Sequence, residues 1–382
     1  MKDEALELHA SRPGKISVET AVDVETAEDL GLVYTPGVAE PCRKIESDSS
    51  KSYSYTSRGN LVAVVSDGSA VLGLGDIGPE ASMPVMEGKA NLMKEFGEVD
   101  GFPICLDSEG ADELAEEVMA LEPTFGAVNL EDIKAPRCFR VEERLKSEMD
   151  VPVFHDDQHG TAIVVGAALR NALDLVDRDL ESSRVVVLGA GASGIAVSEF
   201  LLDIGVGELL VVDSSGIISP DDENEYKSDL AGRTESSAEE GGLSEALEGA
   251  DALIGLSTGG IVSRDHVSLM ADDPVVFALA NPDPEIMPGE AKAAGAEIVA
   301  TGRSDFDNQV NNSLAFPGVF RGALDAEAME INEEMKRAAS DAIRGFIEPE
   351  KDRIVPETLE KDLAMEIAEK VEQAAVETAE TR

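Results

Sequence analysis

Three apolar segments of the sequence end in acidic residues, which together could bind a metal ion. They are Asp67 after Leu61–Val65, Glu131 and Asp132 after Ala127–Leu130, and Asp156 and Asp157 after Val151–His155. Because the carboxyl ends of parallel strands form the ligand-binding edge of an open α/β sheet, these carboxylates are expected to converge. Ligand sets made only of oxygen suit Mg²⁺ or Mn²⁺. About 15 adjacent acidic pairs would arise by chance in so acidic a chain, so solvated doublets remain an alternative.

The segment Pro84–Phe96 is predicted to form a helix that carries a lysine on its apolar face. Val85, Leu92 and Phe96 recur with helical spacing, and Lys89 falls on the same stripe. A lysine that points inward loses solvation, which lowers its pKa and makes it a usable general base near neutral pH. The alternative is a lysine whose ammonium group reaches the surface or an acidic partner.

A glycine-rich loop follows the apolar segment Arg184–Leu188 and predicts a dinucleotide-binding turn. Its three glycines lack the side chains that would block a tight turn, the approach of a pyrophosphate and the packing of the next helix. The N-terminus of that helix offers unpaired N–H groups to the phosphates. The loop residues expected to contact the coenzyme are Gly189, Gly191, Ala192, Ser193 and Gly194. A plain strand–turn–helix unit without a ligand is the alternative.

Asp213 closes the next predicted strand, 19 residues after Gly194, where a carboxylate would bind a ribose diol. A carboxylate at this position repels a 2′-phosphate, so NAD is favoured over NADP. NADP stays open, because Lys227 or Arg233 could fold back beside Asp213.

Apolar runs alternate with helical patterns along most of the chain, which predicts an α/β protein with two mainly parallel sheets. The predicted strands are Leu61–Val65, Phe102–Leu106, Gly126–Leu130, Val151–Phe154, Val185–Leu188, Leu209–Val212, Ala252–Leu256 and Val275–Ala280. The long apolar helix Thr161–Val176 leads into a new strand–turn–helix unit. We therefore predict an N-terminal α/β domain over 1–159 and a doubly wound, Rossmann-type domain with C-terminal helices over 160–382. The acidic stretch Asp221–Gly242 is interpreted as a solvated surface excursion.

Composition excludes several partners. The 382 residues include 78 acidic and 31 basic side chains, a formal net charge of −47. Nucleic acids and anionic membrane surfaces would be repelled, and no apolar run is long enough to cross a bilayer. The acidity is spread along the chain, as expected in a salt-saturated cytoplasm where salt screens self-repulsion. Three scattered cysteines and an N-terminus without an apolar signal segment also predict a cytoplasmic protein.

Several motifs in their order along the chain resemble those of the malic enzyme family. The matching segments are Tyr34–Cys42, Asp67–Gly78, Met86–Lys89, Asn129–Ile133, Phe154–Ala162, Gly189–Gly194, Ala280–Pro282 and Asn311–Gly318. The chain is similar to the short prokaryotic form of the family, in an acidic, halophile-like variant. This resemblance implies an N-terminal malic enzyme domain followed by an NAD(P)-binding domain, and a homodimer.

The resemblance also implies a reaction, the oxidative decarboxylation of (S)-malate to pyruvate and CO₂ with reduction of NAD(P)⁺. Glu131, Asp132 and Asp157 would bind the divalent ion, Mg²⁺ or Mn²⁺. The ion would polarise the ketone that forms at C2 and stabilise the enolate left by CO₂ loss.

By the same resemblance, Lys89 paired with Asp156 would take the proton from the C2 hydroxyl. Tyr34 would then protonate C3 of the enolate. The residues implied to hold the substrate are Asn281, Asn311 and Asn312, and Asn281 is also counted among the coenzyme contacts.

One departure concerns the second carboxylate of malate. Where longer relatives have an arginine after the Asp-Gly turn, this chain has Ser69-Ala70. Asn281 and the loop Gly73–Gly78 are the candidate partners, and Arg137 and Arg140 are weaker ones. Two other functions stay open, a metal-dependent oxaloacetate decarboxylase without a hydride step and a catalytically silent dinucleotide-sensing module.

Overall fold

The apolar segments form parallel strands in two sheets. The structure is a computed structural model that describes residues 2–11, 14–71, 73–234 and 241–382. The strands of the first sheet are β1 (Leu61–Ser66), β2 (Asp100–Cys105), β3 (Ala127–Leu130) and β4 (Val153–His155). Their order is β2-β1-β3-β4, and every pair is parallel. The carboxyl ends of β1, β3 and β4 therefore share one edge.

The second sheet has a doubly wound order. Its strands are β5 (Arg184–Leu188), β6 (Glu208–Asp213), β7 (Gly216–Ile217), β8 (Ala252–Gly255), β9 (Val275–Ala278) and β10 (Ile298–Thr301). The order is β10-β9-β8-β5-β6-β7, with β7 antiparallel to β6. The chain leaves β5 on one side and resumes on its other side with β8, so a switch point lies beside β5, where such sheets bind ligands. The predicted α/β class is confirmed, whereas β7 and β10 are not among the predicted strands: β7 has two residues, and β10 is no shorter than strands that are predicted.

Helices cover both sheets. They are α1 (Lys2–Ser11), α2 (Ala27–Val33), α3 (Ala39–Ser47), α4 (Lys51–Tyr55), α5 (Pro79–Gly97), α6 (Ala111–Met119), α7 (Arg137–Glu148), α8 (Thr161–Leu175), α9 (Ala192–Asp203), α10 (Glu225–Arg233), α11 (Leu243–Leu247), α12 (Arg264–Val267), α13 (Pro288–Ala293), α14 (Phe316–Asp325), α15 (Glu333–Gly345) and α16 (Lys361–Thr378). Single helical turns lie at Ser57–Asn60, Asp156–Gly160, Leu180–Ser182 and Asn312–Leu314.

The C-terminal helices return to the first sheet. Gly97 ends α5 so close to α14 that a Cβ would lie 2.6 Å from the carbonyl oxygen of Pro317. In the same way, a Cβ on Gly318 of α14 would lie 2.6 Å from the carbonyl oxygen of Ala364 in α16. These helices therefore contact both parts of the chain, and the division into 1–159 and 160–382 stays a prediction.

Helix α5 differs from the predicted helix in its start and its buried face. It begins before Pro84, which lies inside the helix. Val85 is exposed, whereas Met86 and Met93 are fully buried. The predicted stripe through Val85 is therefore wrong, because the buried face is rotated around the helix. Lys89 nevertheless lies on the buried face.

The acidic stretch Asp221–Gly242 is not simply a solvated excursion. It contains α10, whose N-terminus is capped by the Asn224 side chain, which accepts the backbone N–H of Tyr226 at 3.1 Å. Leu230 and Ala231 of this helix are buried. The interpretation is wrong for these residues, because a few apolar side chains suffice to dock a short helix. Residues 235–240 of the stretch lie outside the described residues.

Candidate active site

Three carboxylates meet at the shared edge of the first sheet. Glu131 and Asp132 follow β3 and Asp157 follows β4, so the parallel pairing of the two strands brings these residues together. One carboxylate oxygen from each lies within 4.8 Å of the other two. Asp67, which follows β1, is instead paired with Arg137, with 2.9 Å between the charged atoms.

Hydrogen bonds hold these carboxylates in place. The Asn129 amide donates to Glu131 at 3.0 Å, and the backbone N–H of Asp132 donates to Oδ2 of Asp157 at 2.8 Å. Burial raises the pKa of Glu131 and of Asp157, because desolvation outweighs the stabilising charge of Lys89. Three carboxylates that converge on one point, two of them on buried residues, fit a hard divalent cation such as Mg²⁺ or Mn²⁺.

Lys89 points from α5 into the same group. Its Nζ lies 2.5 Å from Oδ2 of Asp156 and 2.9 Å from Oε1 of Glu131. The ammonium group also lies 4.3 Å from the centre of the Phe316 ring. Lys89 is only 8% exposed, and Asp156 is fully buried. The lysine therefore has acidic partners but finds them inside the fold, not at the surface.

The pKa of Lys89 is raised, which corrects the expectation from the sequence. Burial alone would lower it, but the charges of Asp156, Glu131 and Asp157 together outweigh burial. Loss of solvation lowers the pKa of an isolated buried lysine, whereas here three carboxylates surround the ammonium group. Their charge must be compensated before Lys89 can release its proton.

The turn Asp156–Gly160 presents both of its aspartates to the site. Gly160 is required there, because a Cβ at this position would lie 1.9 Å from Oδ1 of Asp156. The hydroxyl of Ser193, in the glycine-rich loop, donates to the backbone carbonyl of Asp157 at 2.8 Å. The carboxylates and the predicted dinucleotide loop are therefore directly linked.

The glycines of that loop have three different environments. Gly189 has a φ of 117°, a conformation that favours glycine. A Cβ on Gly194 would lie 1.9 Å from the carbonyl oxygen of Gly189, so the helix packs tightly on the turn. Around Gly191 no atom of the described residues lies within 4 Å of such a Cβ. This open space, at the N-terminus of α9, is where a pyrophosphate could approach the backbone.

Asp213 ends β6, as expected, and forms an ion pair with Lys227 of α10. The backbone N–H and the hydroxyl of Ser215 donate to its other oxygen at 2.7 and 2.6 Å. Desolvation raises the pKa of Asp213, but the hydrogen bonds from Lys227 and Ser215 outweigh it and lower the pKa. Arg233 pairs with Glu199 at 3.2 Å. Of the two cations considered from the sequence, Lys227 is the one beside Asp213.

One cavity of about 860 Å³ joins the carboxylates to the glycine-rich loop, a volume typical of ligand sites. The predicted site residues that line it are Lys89, Glu131, Asp132, Asp157, Gly191, Ala192, Ser193, Asn281, Asn311 and Asn312. Asp156 contacts Lys89 but is not among the residues that line the cavity. Asp213, at the end of β6, is not among them either. The structure therefore brings most of the predicted residues around one space.

Tyr34 is not among the described residues that line this cavity. It follows α2 and is 67% exposed. Tyr34 is therefore placed at the surface of this chain and not in the lining of the cavity, so its predicted role stays a prediction.

The arginines considered for a second carboxylate are engaged elsewhere. Arg137 pairs with Asp67, and Arg140 lies exposed beside Glu225, with 3.7 Å between their charged atoms. Lys15, which sequence reasoning missed, lines the cavity instead. Its segment shows no periodicity that could have signalled this placement.

Comparison with known families decides the identity of the fold. Residues 13–146 match the malic enzyme N-terminal domain, and residues 158–376 match the malic enzyme NAD-binding domain. The chain belongs to the malic enzyme family. The resemblance seen in the sequence is thereby confirmed.

Curated relatives of this malic enzyme carry names for both coenzymes. A bifunctional malic/malolactic enzyme of Bacillus subtilis is 52% identical and is covered over 95% of its length by 100% of this chain. An NAD-dependent malic enzyme of Geobacillus stearothermophilus is 52% identical over 96% of this chain and 77% of its own. An NADP-dependent malic enzyme of Halomonas elongata is 47% identical over 94% of this chain and 86% of its own.

Solved structures agree in fold. The malic enzyme from Pyrococcus horikoshii superposes with a TM-score of 0.96 at 47% identity, covering 100% of this chain and 92% of its own. The NAD-dependent malic enzyme from Thermotoga maritima gives 0.93 at 48% identity, covering 98% and 99%. Among the described helices, none combines the length and apolarity that a membrane span requires.

Proposed function

We propose that this malic enzyme oxidatively decarboxylates (S)-malate to pyruvate and CO₂ and reduces NAD(P)⁺, with a divalent cation in the site. The placement of Lys89 carries the proposal. The lysine lies beside converging carboxylates, in a cavity that also exposes the loop suited to a dinucleotide.

Glu131, Asp132 and Asp157 would hold the cation, because their oxygens converge, Glu131 and Asp132 are buried and Asp157 is partly buried. When bound, the ion supplies Lewis acidity at the C2 oxygen of malate and the nicotinamide supplies a hydride acceptor. Asn281, Asn311 and Asn312 line the same cavity, and their side-chain amides can donate to the substrate.

Lys89 would accept the proton of the C2 hydroxyl. It stays protonated as long as the neighbouring carboxylates carry uncompensated charge, so compensation of that charge must come first. Asp156 is fully buried, which raises its pKa, and its Oδ2 faces the Lys89 ammonium. The pair can therefore hold and pass one proton without bulk water.

NAD is proposed as the preferred coenzyme, with NADP also accepted. The carboxylate of Asp213 would bind the ribose diol and repel a 2′-phosphate. Lys227, already paired with that carboxylate, offers a 2′-phosphate a cation and so weakens the preference.

Lys15 is proposed to attract the dianionic substrate. The cavity contains several carboxylates, and Lys15 and Lys89 are the lysines among the described residues that line it. The ammonium group of Lys15 donates to the carbonyl of Pro84 at 2.5 Å, and its backbone N–H donates to Glu87 at 3.1 Å. These bonds hold a cation over α5 at the cavity, where it offsets the negative potential.

A homodimer is proposed from the N-terminal segment. In residues 3–11 and 14–60 no described side chain is buried, although many are large and apolar. The exposed ones include Leu6, Leu8, Val18, Val22, Val24, Leu30, Leu32, Val33 and Tyr55. So large an apolar surface marks an interface, and a second copy of this chain is the occupant we propose. Tyr34 lies in this segment and could reach the cavity of that copy.

Mixing two inactive variants tests this arrangement. Tyr34→Phe and Lys89→Met, dissociated and reassociated together, should recover about a quarter of the wild-type activity, because half the dimers are mixed and each has one intact site. Light scattering should give twice the monomer mass. A monomer, or a mixture as inactive as its components, would refute the tyrosine's role across the dimer.

Initial rates with malate and Mn²⁺ in molar KCl test the activity, with NAD⁺ and NADP⁺ compared. We expect reduced coenzyme and pyruvate in equal amounts, and loss of turnover in Asp157→Ala with NADH binding kept. Pyruvate formed from oxaloacetate without coenzyme reduction from malate would instead indicate a simple decarboxylase. Coenzyme binding without any turnover would indicate a sensing module.

The three free cysteines lead us to place the protein in the cytoplasm.

A further inference from the structure

A buried glutamate outside the cavity accepts hydrogen bonds from the turn that carries Asp156 and Asp157. Glu142 of α7 is only 5% exposed. It accepts the backbone N–H of His155 at 3.3 Å, the amide of Gln158 at 3.1 Å and Nε2–H of His159 at 2.7 Å. The ammonium group of Lys146, one helical turn later, lies 2.8 Å from it. One carboxylate therefore bonds to three residues in and next to the turn.

The other side of His159 is held by the C-terminal helices. Because Nε2 donates to Glu142, Nδ1 carries the lone pair, and it accepts from Nζ of Lys336 at 3.1 Å. Lys336, on α15, is 3% exposed and also bonds to Glu333 at 2.7 Å. A continuous chain of polar contacts thus connects α7, the turn and α15.

The contribution of such a network to the free energy of folding does not explain its presence. Burying a carboxylate with its cations carries a large desolvation penalty, and well-packed apolar side chains of similar volume often stabilise a protein more. The network can instead fix the orientation of the turn, because each hydrogen bond holds one group in or next to the turn in place. That turn has to aim Asp157 at Glu131 and Asp132 while it aims Asp156 at Lys89.

We propose that Glu142 is a positioning residue, which through His159 and Gln158 fixes the turn Asp156–Gly160 so that Asp157 completes the divalent-cation site. Glu142 itself lies outside the group of converging oxygens and lines no part of the cavity that the structure describes. The inference rests on the proposed function, because it assigns a role in assembling that same site.

The substitution Glu142→Gln tests it with little change in volume. The amide NH₂ would face one of the donors that now point at the carboxylate, so the turn loses part of its support. We expect the Kd for Mn²⁺, measured from the EPR signal of the free ion without substrate, to rise by about 10- to 100-fold, as for other outer partners of metal sites. The Kd for NADH, from its fluorescence, should change much less, because β5 and α9 carry the glycine-rich loop and its Ser193 contacts a backbone carbonyl of the turn, not Glu142.

Glu148→Gln is the matched control, since exposed Glu148 ends the same helix and pairs with Arg144 at 2.9 Å. It should leave both dissociation constants unchanged. Saturating Mn²⁺ should return kcat of Glu142→Gln toward the wild-type value, which a general packing defect would not do. Lys336→Met removes the last hydrogen bond in this series of polar contacts. It should also raise the Kd for Mn²⁺, but by a smaller factor than Glu142→Gln.

Two results would overturn the inference. One is a folded Glu142→Gln, or a folded Lys336→Met if the first variant does not fold, that binds Mn²⁺ as tightly as the wild type. The other is an equal loss of Mn²⁺ and NADH affinity, which would make the network a support of the whole fold. A wild-type protein that binds no Mn²⁺ at all would instead refute the proposed metal site, so the two failures are distinguishable.

Discussion

Nζ of Lys89 lies 2.5 Å from Oδ2 of Asp156, and both side chains are buried in the fold. The same ammonium group lies 2.9 Å from Glu131, so one cation serves two carboxylates. Removing Lys89 leaves two buried carboxylates without their cation, whereas removing Asp156 takes away the oxygen that receives the shortest contact from the ammonium group. The two residues should therefore act as one unit in any proton transfer.

Lys89→Met should lower kcat by about 10²- to 10⁴-fold, the usual contribution of a positioned proton acceptor. Asp156→Asn should cause a loss of similar size, and the double variant should be little worse than either single one. Stopped-flow and steady-state rates of NADH formation measure this. Lys94→Met is the control, because Lys94 lies on the same helix but pairs with Asp100 outside the cavity, with 2.7 Å between the charged atoms. Strictly multiplicative losses in the double variant would contradict a shared proton.

Lys227→Met should raise the KM for NADP⁺ by about tenfold, as expected when one charge-assisted hydrogen bond is lost. The KM for NAD⁺ should change less, because the ribose diol needs only Asp213. Arg233→Met removes a cation from the same helix that is paired with Glu199, and it should change neither constant. Equal changes for both coenzymes in Lys227→Met would show that the lysine does not discriminate between them.

Lys15→Met should raise the KM for malate by about tenfold while kcat stays near the wild-type value, because a cation at the cavity attracts the dianion without taking part in bond breaking. Lys15→Arg should retain the low KM. Lys44→Met, on α3, removes a lysine of the same N-terminal segment outside the cavity lining. The difference in KM should shrink as KCl is raised, since salt screens exposed charges. A fall in kcat alone would argue against this role.

The sequence allowed much of the site to be predicted, for reasons specific to its parts. The carboxylates could be found because each follows a short apolar strand, and parallel strands end at one edge. The glycine-rich loop could be found because steric limits restrict its residue types. The direction of the pKa shift of Lys89 could not be predicted, because it depends on carboxylates that follow β3 and β4 and not on residues of its own helix. Lys15 and Glu142 could not either, since their partners are 69 and 17 residues away and no local period marks them.

Withdrawal of KCl should lower both activity and the unfolding temperature. A net charge of −47 over 382 residues repels itself more strongly as the Debye length grows. Circular dichroism melts and initial rates should be followed from molar KCl to dilute buffer. Sucrose at matched osmolality, which does not screen charge, is the control. A protein equally stable and active in dilute buffer would contradict the salt-adapted interpretation.

Acid should destabilise the network around His159. Desolvation lowers the pKa of His159 to about 4, and Lys336 and Lys146 act in the same direction against the opposing charge of Glu142. The unfolded chain, with an ordinary histidine pKa of about 6.5, then binds more protons than the folded chain between those two values. The stabilising contribution is therefore complete above pH 6.5 and is lost as the pH falls toward 4.

Denaturant unfolding at pH 7 and at pH 4.5, in constant molar KCl, measures this effect. Between these pH values the wild type should lose about 2 kcal/mol more unfolding free energy than His159→Gln, which has no histidine at this position to protonate. Protonation of surface carboxylates relieves self-repulsion and has the opposite sign, but it occurs in both proteins and cancels in the difference. His266→Gln, on α12, should behave as the wild type. If the wild type and His159→Gln lose equal unfolding free energy, protonation of His159 does not cause the loss of stability in acid.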